Sequence, residues 1–170
     1  MAILSPFEVE QLIVQCAYDA ADHGPGLEIG RLGVVIGDIA WDDCQCGQLV
    51  ITEERRFPSR AFPLEEIDHT AECGEPWLVI VFTLSLTRCV PVGDDAGNPP
   101  SVADLSVAAA QLSRDMNLVR PAVLCCLSEV YDANQIFAFQ LGAMEIVGPS
   151  GGCAGFDMTI MIGYTNDCGC

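Results

Sequence analysis

The longest apolar run of the chain, residues 77–86, has the length of a β-strand. It is rich in Val, Ile, Phe and Leu and is interrupted only by Thr83 and Ser85. Turn residues follow, so the sequence predicts a strand over residues 77–92. A membrane-spanning helix needs about 18 or more apolar residues without charges, and no stretch of the sequence meets that requirement. We therefore expect a globular fold built on this strand and no membrane span.

Two helices are predicted on either side of this strand. Ser5 and Glu8 form a capping box around Pro6, which predicts a helix over residues 6–23. Its apolar stripe consists of Val9, Leu12, Ile13, Cys16, Ala17 and Ala20. Ser101 caps the second helix, and Pro121 is expected to kink or break it, because proline removes an internal hydrogen bond.

Four further strands complete the predicted elements. Two are expected before the central strand and two after the second helix, over residues 34–41, 49–57, 137–147 and 156–164. A Gly- and Pro-rich turn at residues 148–152 joins the last two as a hairpin. All connections but one can be antiparallel. The order predicts an α+β fold, an antiparallel sheet with both helices packed on one face, as a single domain over residues 1–170.

The charged residues are strongly unbalanced. The chain has 24 Asp and Glu against 7 Lys and Arg, all of them Arg, for a formal net charge of −17. Binding to nucleic-acid phosphates or to an anionic membrane is disfavoured, because both need clustered bases. Hydrophobic residues make up 51% of the chain, which excludes intrinsic disorder and indicates apolar surface that a small domain cannot hide alone.

Catalytic signatures are weak. The chain has only two histidines, and His23 falls at a helix end, where an imidazolium favours the helix dipole. His69 lies in an acidic loop near Cys73, but no motif supports a catalytic dyad between them. Adjacent carboxylates point to opposite faces of a strand and cannot work as one pair. We predict that the protein is not an enzyme and needs no cofactor.

The ten cysteines leave several interpretations open. Cys16, Cys125 and Cys126 fall in helical apolar patterns and are interpreted as buried small hydrophobes. Two C-x-C pairs occur elsewhere: Cys44 with Cys46, and Cys168 with Cys170. Four thiolates can hold zinc, although the usual spacing is longer. Free thiols, disulfides and a metal site therefore all remain possible for these cysteines.

Three of the seven arginines fall within six residues. Arg55, Arg56 and Arg60 lie near the end of a predicted strand in an otherwise acidic chain. Guanidinium groups pair well with carboxylates, so this cluster is a candidate contact with a neighbouring subunit. The alternative is a solvated strand end.

The order of elements resembles that of the tail terminator proteins of long-tailed phages and of their small head–tail neck proteins. In that family an amphipathic helix precedes a strand meander, a helix interrupted near its end and a C-terminal hairpin. Two stretches also look like head-to-tail connector proteins from phages of high-GC hosts: residues 147–155, and residues 41–44 running into residues 57–60. The high cysteine content departs from the family pattern.

The resemblance implies a ring, usually a hexamer, at the head-proximal end of the tail tube. Such a ring stops tube polymerisation, contacts the tube protein and a head–tail stopper or connector, and lets DNA pass through its lumen without specific binding. It is assembled in the host cytoplasm and resides in the virion. The alternatives are another neck protein, a stopper or adaptor, or an oligomeric binding module with a cysteine metal site.

An acidic lumen wall would repel DNA phosphates and let DNA slide. The candidates for such a wall, or for contact with the tube, lie in two predicted loops and are Glu65, Glu66, Asp68, Asp94 and Asp95.

Overall fold

A computed structural model describes residues 3–24, 27–37, 47–65, 77–93, 97–150 and 152–164. These residues form two helices and five strands. In chain order they are α1 (Pro6–Ala20), β1 (Arg31–Val35), β2 (Gln48–Ser59), β3 (Trp77–Cys89), α2 (Val102–Asp132), β4 (Ala138–Ser150) and β5 (Cys153–Tyr164).

The five described strands form one sheet in the order β1-β2-β3-β5-β4. Among the described residues, β1 and β2 pair in parallel and the other three neighbouring pairs are antiparallel. The fold is therefore α+β, as predicted, with a mixed sheet that is mostly antiparallel. About a dozen residues separate β1 from β2, which is the length that a parallel crossover requires. The strand predicted from residue 34 begins at Arg31, and residues 38–41 lie outside the described part.

Both helices lie on one face of the sheet and enclose the main core. α1 packs on α2 and contacts β1 and β2, whereas α2 contacts β4 and β5. The sheet contributes alternate residues of its central strands, because every second side chain points to the same face. Core members with no solvent exposure include Val9, Ile13, Ala17, Val119, Val123, Leu127, Ile80, Phe82, Leu84, Met158 and Ile160. We call this the helix face and the opposite side the second face.

α1 begins at the predicted residue but ends earlier than predicted. The Ser5 hydroxyl accepts from the Glu8 backbone N–H, and the Glu8 carboxylate accepts from the Ser5 N–H, which confirms the capping box. The helix ends at Ala20 instead of residue 23, and Ala21 is extended. The next residue, Asp22, donates its backbone N–H to the buried Asp115 side chain at 3.2 Å, so a tertiary contact directs the chain away from the helix axis.

The sequence predicts that Pro121 kinks or breaks the second helix; α2 continues through it, so the predicted break is wrong. Proline leaves the carbonyl of Asn117 without its helical partner, but both residues are exposed and water can satisfy that oxygen. Buried residues on both sides of the proline hold the two halves on the same core: Asp115 and Val119 before it, and Val123, Leu127 and Val130 after it. Tertiary packing therefore outweighs the local preference.

The two helices are joined covalently, because Cys16 and Cys126 form a disulfide with Cα atoms 6.6 Å apart. Their interpretation as buried small hydrophobes is wrong, since both are half-buried and oxidised. Cys125 is exposed and outside any disulfide, so it is not a buried hydrophobe either. The helical stripe predicted which residues point towards the partner helix, but not that these two sulfurs meet there.

Candidate interaction surfaces

The arginine cluster is divided between the two faces of the sheet. A β-bulge lies between Glu53 and Arg55, after which Arg55 pairs with Val81 on the second face and Arg56 with Ile80 on the helix face. Arg60 is exposed and directly follows β2. Because these two strand residues point to opposite faces, Arg55 and Arg56 do not share one contact surface within a subunit.

Two of these arginines pair with carboxylates of their own chain. Arg55 donates to Glu65 at 2.5 Å, and its guanidinium lies 5.0 Å from the centre of the Phe57 ring. Arg56 donates to both carboxylate oxygens of Glu53, at 2.5 and 2.6 Å. These hydrogen bonds raise the pKa of Arg56 above its ordinary value. Both pairs are exposed, so each stabilises the fold by at most about 1 kcal/mol, and their role at a subunit contact stays a prediction.

Most of the other predicted site residues lie outside the described part of the chain. Glu65 is described and pairs with Arg55 as above. The remaining acidic candidates Glu66, Asp68, Asp94 and Asp95, and the thiols Cys44, Cys46, Cys168 and Cys170, fall outside it. Within the described residues no group of three His, Cys, Asp or Glu side chains is placed to hold a metal ion.

A row of carboxylates that the sequence alone did not reveal crosses the second face. Glu54 on β2 accepts a hydrogen bond of 2.5 Å from Thr83, and Asp157 on β5 accepts one of 2.5 Å from Ser85. Glu145 on β4 lies opposite Asp157 in register. Burial, together with the nearby Glu54 and Glu145 charges, raises the pKa of Asp157, although the Ser85 hydrogen bond lowers it. The row gives this face a negative potential on three strands.

A second cluster lies where α1 meets the end of the sheet. Glu10 of α1 is buried beside Glu53, Arg56 and Tyr164. Burial raises the pKa of Glu10, the Glu53 charge raises it further, and Arg56 lowers it. Burial also raises the pKa of Tyr164, whose hydroxyl has no hydrogen-bond partner among the described residues. Arg56 therefore compensates charges within its own subunit, which accounts for its position.

A buried ion pair connects three parts of the fold. The Arg88 guanidinium on β3 donates to both oxygens of Asp115 on α2, at 3.0 and 3.1 Å. It also donates to the backbone carbonyls of Leu27 and Asp22, and Arg114 pairs with the Asp22 carboxylate at 3.0 Å. Both side chains of the central pair are almost fully buried. This network fixes α2 relative to β3 and to the segment after α1.

Arg88 of this ion pair also lines a large apolar groove. It has a volume of about 590 Å³ and separates the first turns of α2 from the β4–β5 hairpin. The walls are formed by Leu105, Ala108 and Leu112 of α2 and by Ile146 and Pro149 of β4. Ile146 is 67% exposed. We call this surface the α2 groove.

The opposite edge of the sheet carries a second apolar surface. Phe7 of α1 is 54% exposed and Leu32 of β1 is 44% exposed. They flank a shallow recess of about 260 Å³ whose polar lining comes from Gln11 and Gln15. Ile36, which follows β1, is fully exposed. We call these five residues the α1–β1 face.

Comparison with known proteins gives no relative from which a role could be transferred. No protein-family model matches the chain, and no curated protein matches it. Neither described helix is long and apolar enough to cross a membrane. The surfaces themselves are therefore the basis for a functional argument. They offer an acidic sheet face and two surfaces with exposed apolar side chains.

Proposed function

We propose that this protein is a structural component of a phage virion, a tail terminator that forms a ring at the head-proximal end of the tail tube. The observation that carries the proposal is the α+β arrangement of one helix, three strands, a second helix and a closing hairpin. The sequence resembles tail terminators in this order of elements, and the fold departs from their pattern at two points, because α2 continues past Pro121 and β1 pairs with β2 in parallel. The ring stops tube polymerisation and offers a surface to the filled head.

The acidic second face supports this function. A ring around DNA needs a surface that does not bind phosphate, because each phosphate neutralised by the protein releases counterions and raises affinity. Glu54, Glu145 and Asp157 supply such a surface on three of the five described strands. Glu65 joins the same side through its pair with Arg55. DNA would slide past this wall during ejection.

The exposed apolar surface supports self-assembly. An isolated subunit leaves large side chains such as Phe7, Val107 and Ile146 in water. Interfaces between permanently associated subunits are more apolar than the rest of a protein surface. A homo-oligomeric ring would bury these side chains at its seams.

Deleting the gene should remove the control of tail length. A phage that lacks its terminator is expected to produce tubes that continue beyond their normal length and heads without tails. Electron microscopy of lysates would measure the distribution of tube lengths, with a plasmid copy of the gene as the control. Tubes of normal length that merely fail to join heads would instead indicate a stopper or adaptor. Normal infectious particles would contradict a neck role altogether.

A further inference from the structure

We propose that the Cys16–Cys126 bridge is a reversible redox lock. The chain folds with both thiols reduced, and an oxidant then closes the bridge inside the finished fold, which fixes α1 to α2 covalently. Three observations carry this inference: the contacts that hold the two helices without the bridge, the exposure of the two cysteines, and the length of chain between them. The role of the lock in a virion rests on the proposed function, whereas the lock itself does not.

Non-covalent contacts hold α1 against α2 on both sides of the bridge. Shortly before α1, the backbone N–H of Leu4 donates to the carbonyl of Gln135, which follows α2, at 3.1 Å. Shortly after α1, the backbone N–H of Asp22 donates to the buried Asp115 side chain at 3.2 Å. Between these attachments the helices share core residues without solvent exposure: Val9, Ile13 and Ala17 of α1, and Val119, Val123 and Leu127 of α2. The fold therefore places the two thiols side by side before any bond joins them.

Both cysteines lie at the border of the helix contact, within reach of solvent. Cys16 and Cys126 are half-buried, whereas the residues that follow them, Ala17 and Leu127, have no exposure. A small thiol or disulfide can therefore approach the bridge while the core stays packed. Exposed disulfides are the labile and regulatory ones, whereas the structural disulfides of secreted proteins resist reduction by glutathione. The partial exposure of this bridge favours the labile kind.

The oxidant for closure is a small-molecule disulfide such as oxidised glutathione. The thiolate of one cysteine of the pair attacks a sulfur of that disulfide, which forms a mixed disulfide and releases one small thiol. The second thiolate then attacks the protein sulfur of the mixed disulfide, and the second small thiol leaves. The protein pair loses two electrons and two protons, and one small disulfide becomes two thiols. An excess of reduced thiol drives the same two steps backwards.

Folding and closure of the bridge favour each other. The two cysteines are 110 residues apart in the sequence, so their thiols seldom meet in an unfolded chain. In the fold their Cα atoms lie 6.6 Å apart, within the range of about 4.4–6.8 Å that a disulfide spans. By linkage, a bridge that closes so long a loop should be favoured about 100-fold or more in the folded chain over the unfolded chain. The lock therefore closes on the native fold.

Under the proposed function, the state of the lock follows the life of the particle. A virion protein of this kind is assembled in the host cytoplasm, where thiols are kept reduced, and enters an oxidising medium at lysis. The chain would then assemble with α1 and α2 held by packing alone and gain the covalent link after release. The link adds stability at the stage at which new synthesis no longer replaces the subunit.

The purified full chain tests the lock without reference to any virion. It is equilibrated in glutathione buffers from fully reduced to fully oxidised, quenched with acid and alkylated, and mass spectrometry of its peptides reports the state of each cysteine. Cys16 and Cys126 should change together from alkylated to bridged, while the circular dichroism spectrum stays native. Cys125 is exposed and outside any disulfide, so it should form only a mixed disulfide with glutathione. In urea the equilibrium constant for closure should fall by about 100-fold or more.

The variant Cys16→Ala/Cys126→Ala separates this bridge from any other disulfide of the chain. It should keep a native circular dichroism spectrum, because the shared core and both backbone attachments remain. An unfolded double variant would overturn the lock, since the bridge would then be a condition of folding. A wild-type bridge that stays closed, or stays open, at every glutathione ratio would overturn it as well.

Trapping in infected cells tests the timing. Cells quenched with acid before lysis, and particles released by lysis, are alkylated and mapped in the same way. Cys16 and Cys126 should be alkylated in the cells and bridged in the particles. A bridge that is already closed in the cells, or still open in the particles, would overturn the timing. Particles that lack the chain would reject the proposed function and leave the result on the purified chain unaffected.

Discussion

Asp115→Ala should lower the free energy of unfolding by about 3–5 kcal/mol, because it leaves a buried guanidinium without its carboxylate. Asp115 has no exposed side-chain surface, and Arg88 is 7% exposed. The carboxylate also accepts the backbone N–H of Asp22, so the substitution detaches the segment after α1 as well. Urea denaturation followed by circular dichroism would measure the loss.

Two control variants separate the effect of an unpaired buried charge from other losses of stability. The double variant Arg88→Met/Asp115→Leu removes both charges and should be markedly more stable than Asp115→Ala, because no unpaired ion remains buried. Arg114→Ala removes an exposed pair with Asp22 and should cost at most about 1 kcal/mol. An Asp115→Ala protein as stable as the wild type would show that the ion pair does not hold the helices in place.

Removing the disulfide is expected to produce a loss of similar size. Cys16 and Cys126 are 110 residues apart in the sequence. Closing a loop of that length restricts the unfolded chain and should stabilise the fold by about 3–5 kcal/mol. Cys16→Ala/Cys126→Ala should therefore shift the urea midpoint of the oxidised protein down strongly. Thermal unfolding would show the same change as a lower Tm.

The neighbouring thiol provides the matched control for that experiment. Cys125 is exposed and carries no disulfide, so Cys125→Ala should leave the midpoint nearly unchanged. A reductant should lower the stability of the Cys125→Ala protein further than that of the double variant. Equal stability of the double variant and the wild type under oxidising conditions would contradict a stabilising link between α1 and α2.

Local signals predicted the helices and most strands. The capping box at Ser5 and the cap at Ser101 act within three residues, so their geometry follows from sequence spacing. Strands β3 and β5 follow from apolar content and alternation, which tertiary structure reinforces. The α+β class follows in turn, because two amphipathic helices and one apolar sheet have few ways to cover each other.

Features that depend on distant partners could not be predicted. α2 continues past Pro121 because core contacts on both sides outweigh one lost hydrogen bond. Cys16 and Cys126 meet because α1 and α2 pack together. Arg88 looks like an isolated base in β3, yet it is the centre of the buried network, since its partner comes from α2. In each case the residues can be read from the sequence, but only the folded structure shows which of them pair.

The candidate surfaces, too, could be predicted only where they depend on local sequence. The arginine cluster could be found by counting, but the bulge after Glu53 places Arg55 and Arg56 on opposite faces. The acidic row is formed by single carboxylates of β2, β4 and β5, which become neighbours only in the sheet. The apolar composition predicted a subunit interface, which stays a prediction, and the sheet edges near the exposed apolar side chains became visible only in the strand order.

The most direct test of the central claim is cryo-electron microscopy of the neck of intact virions, at a resolution that identifies side chains. We expect a ring of this chain, with six copies, between the last tube ring and the head connector. The acidic second face of each subunit should point towards the DNA. A neck without density for this chain would contradict the account.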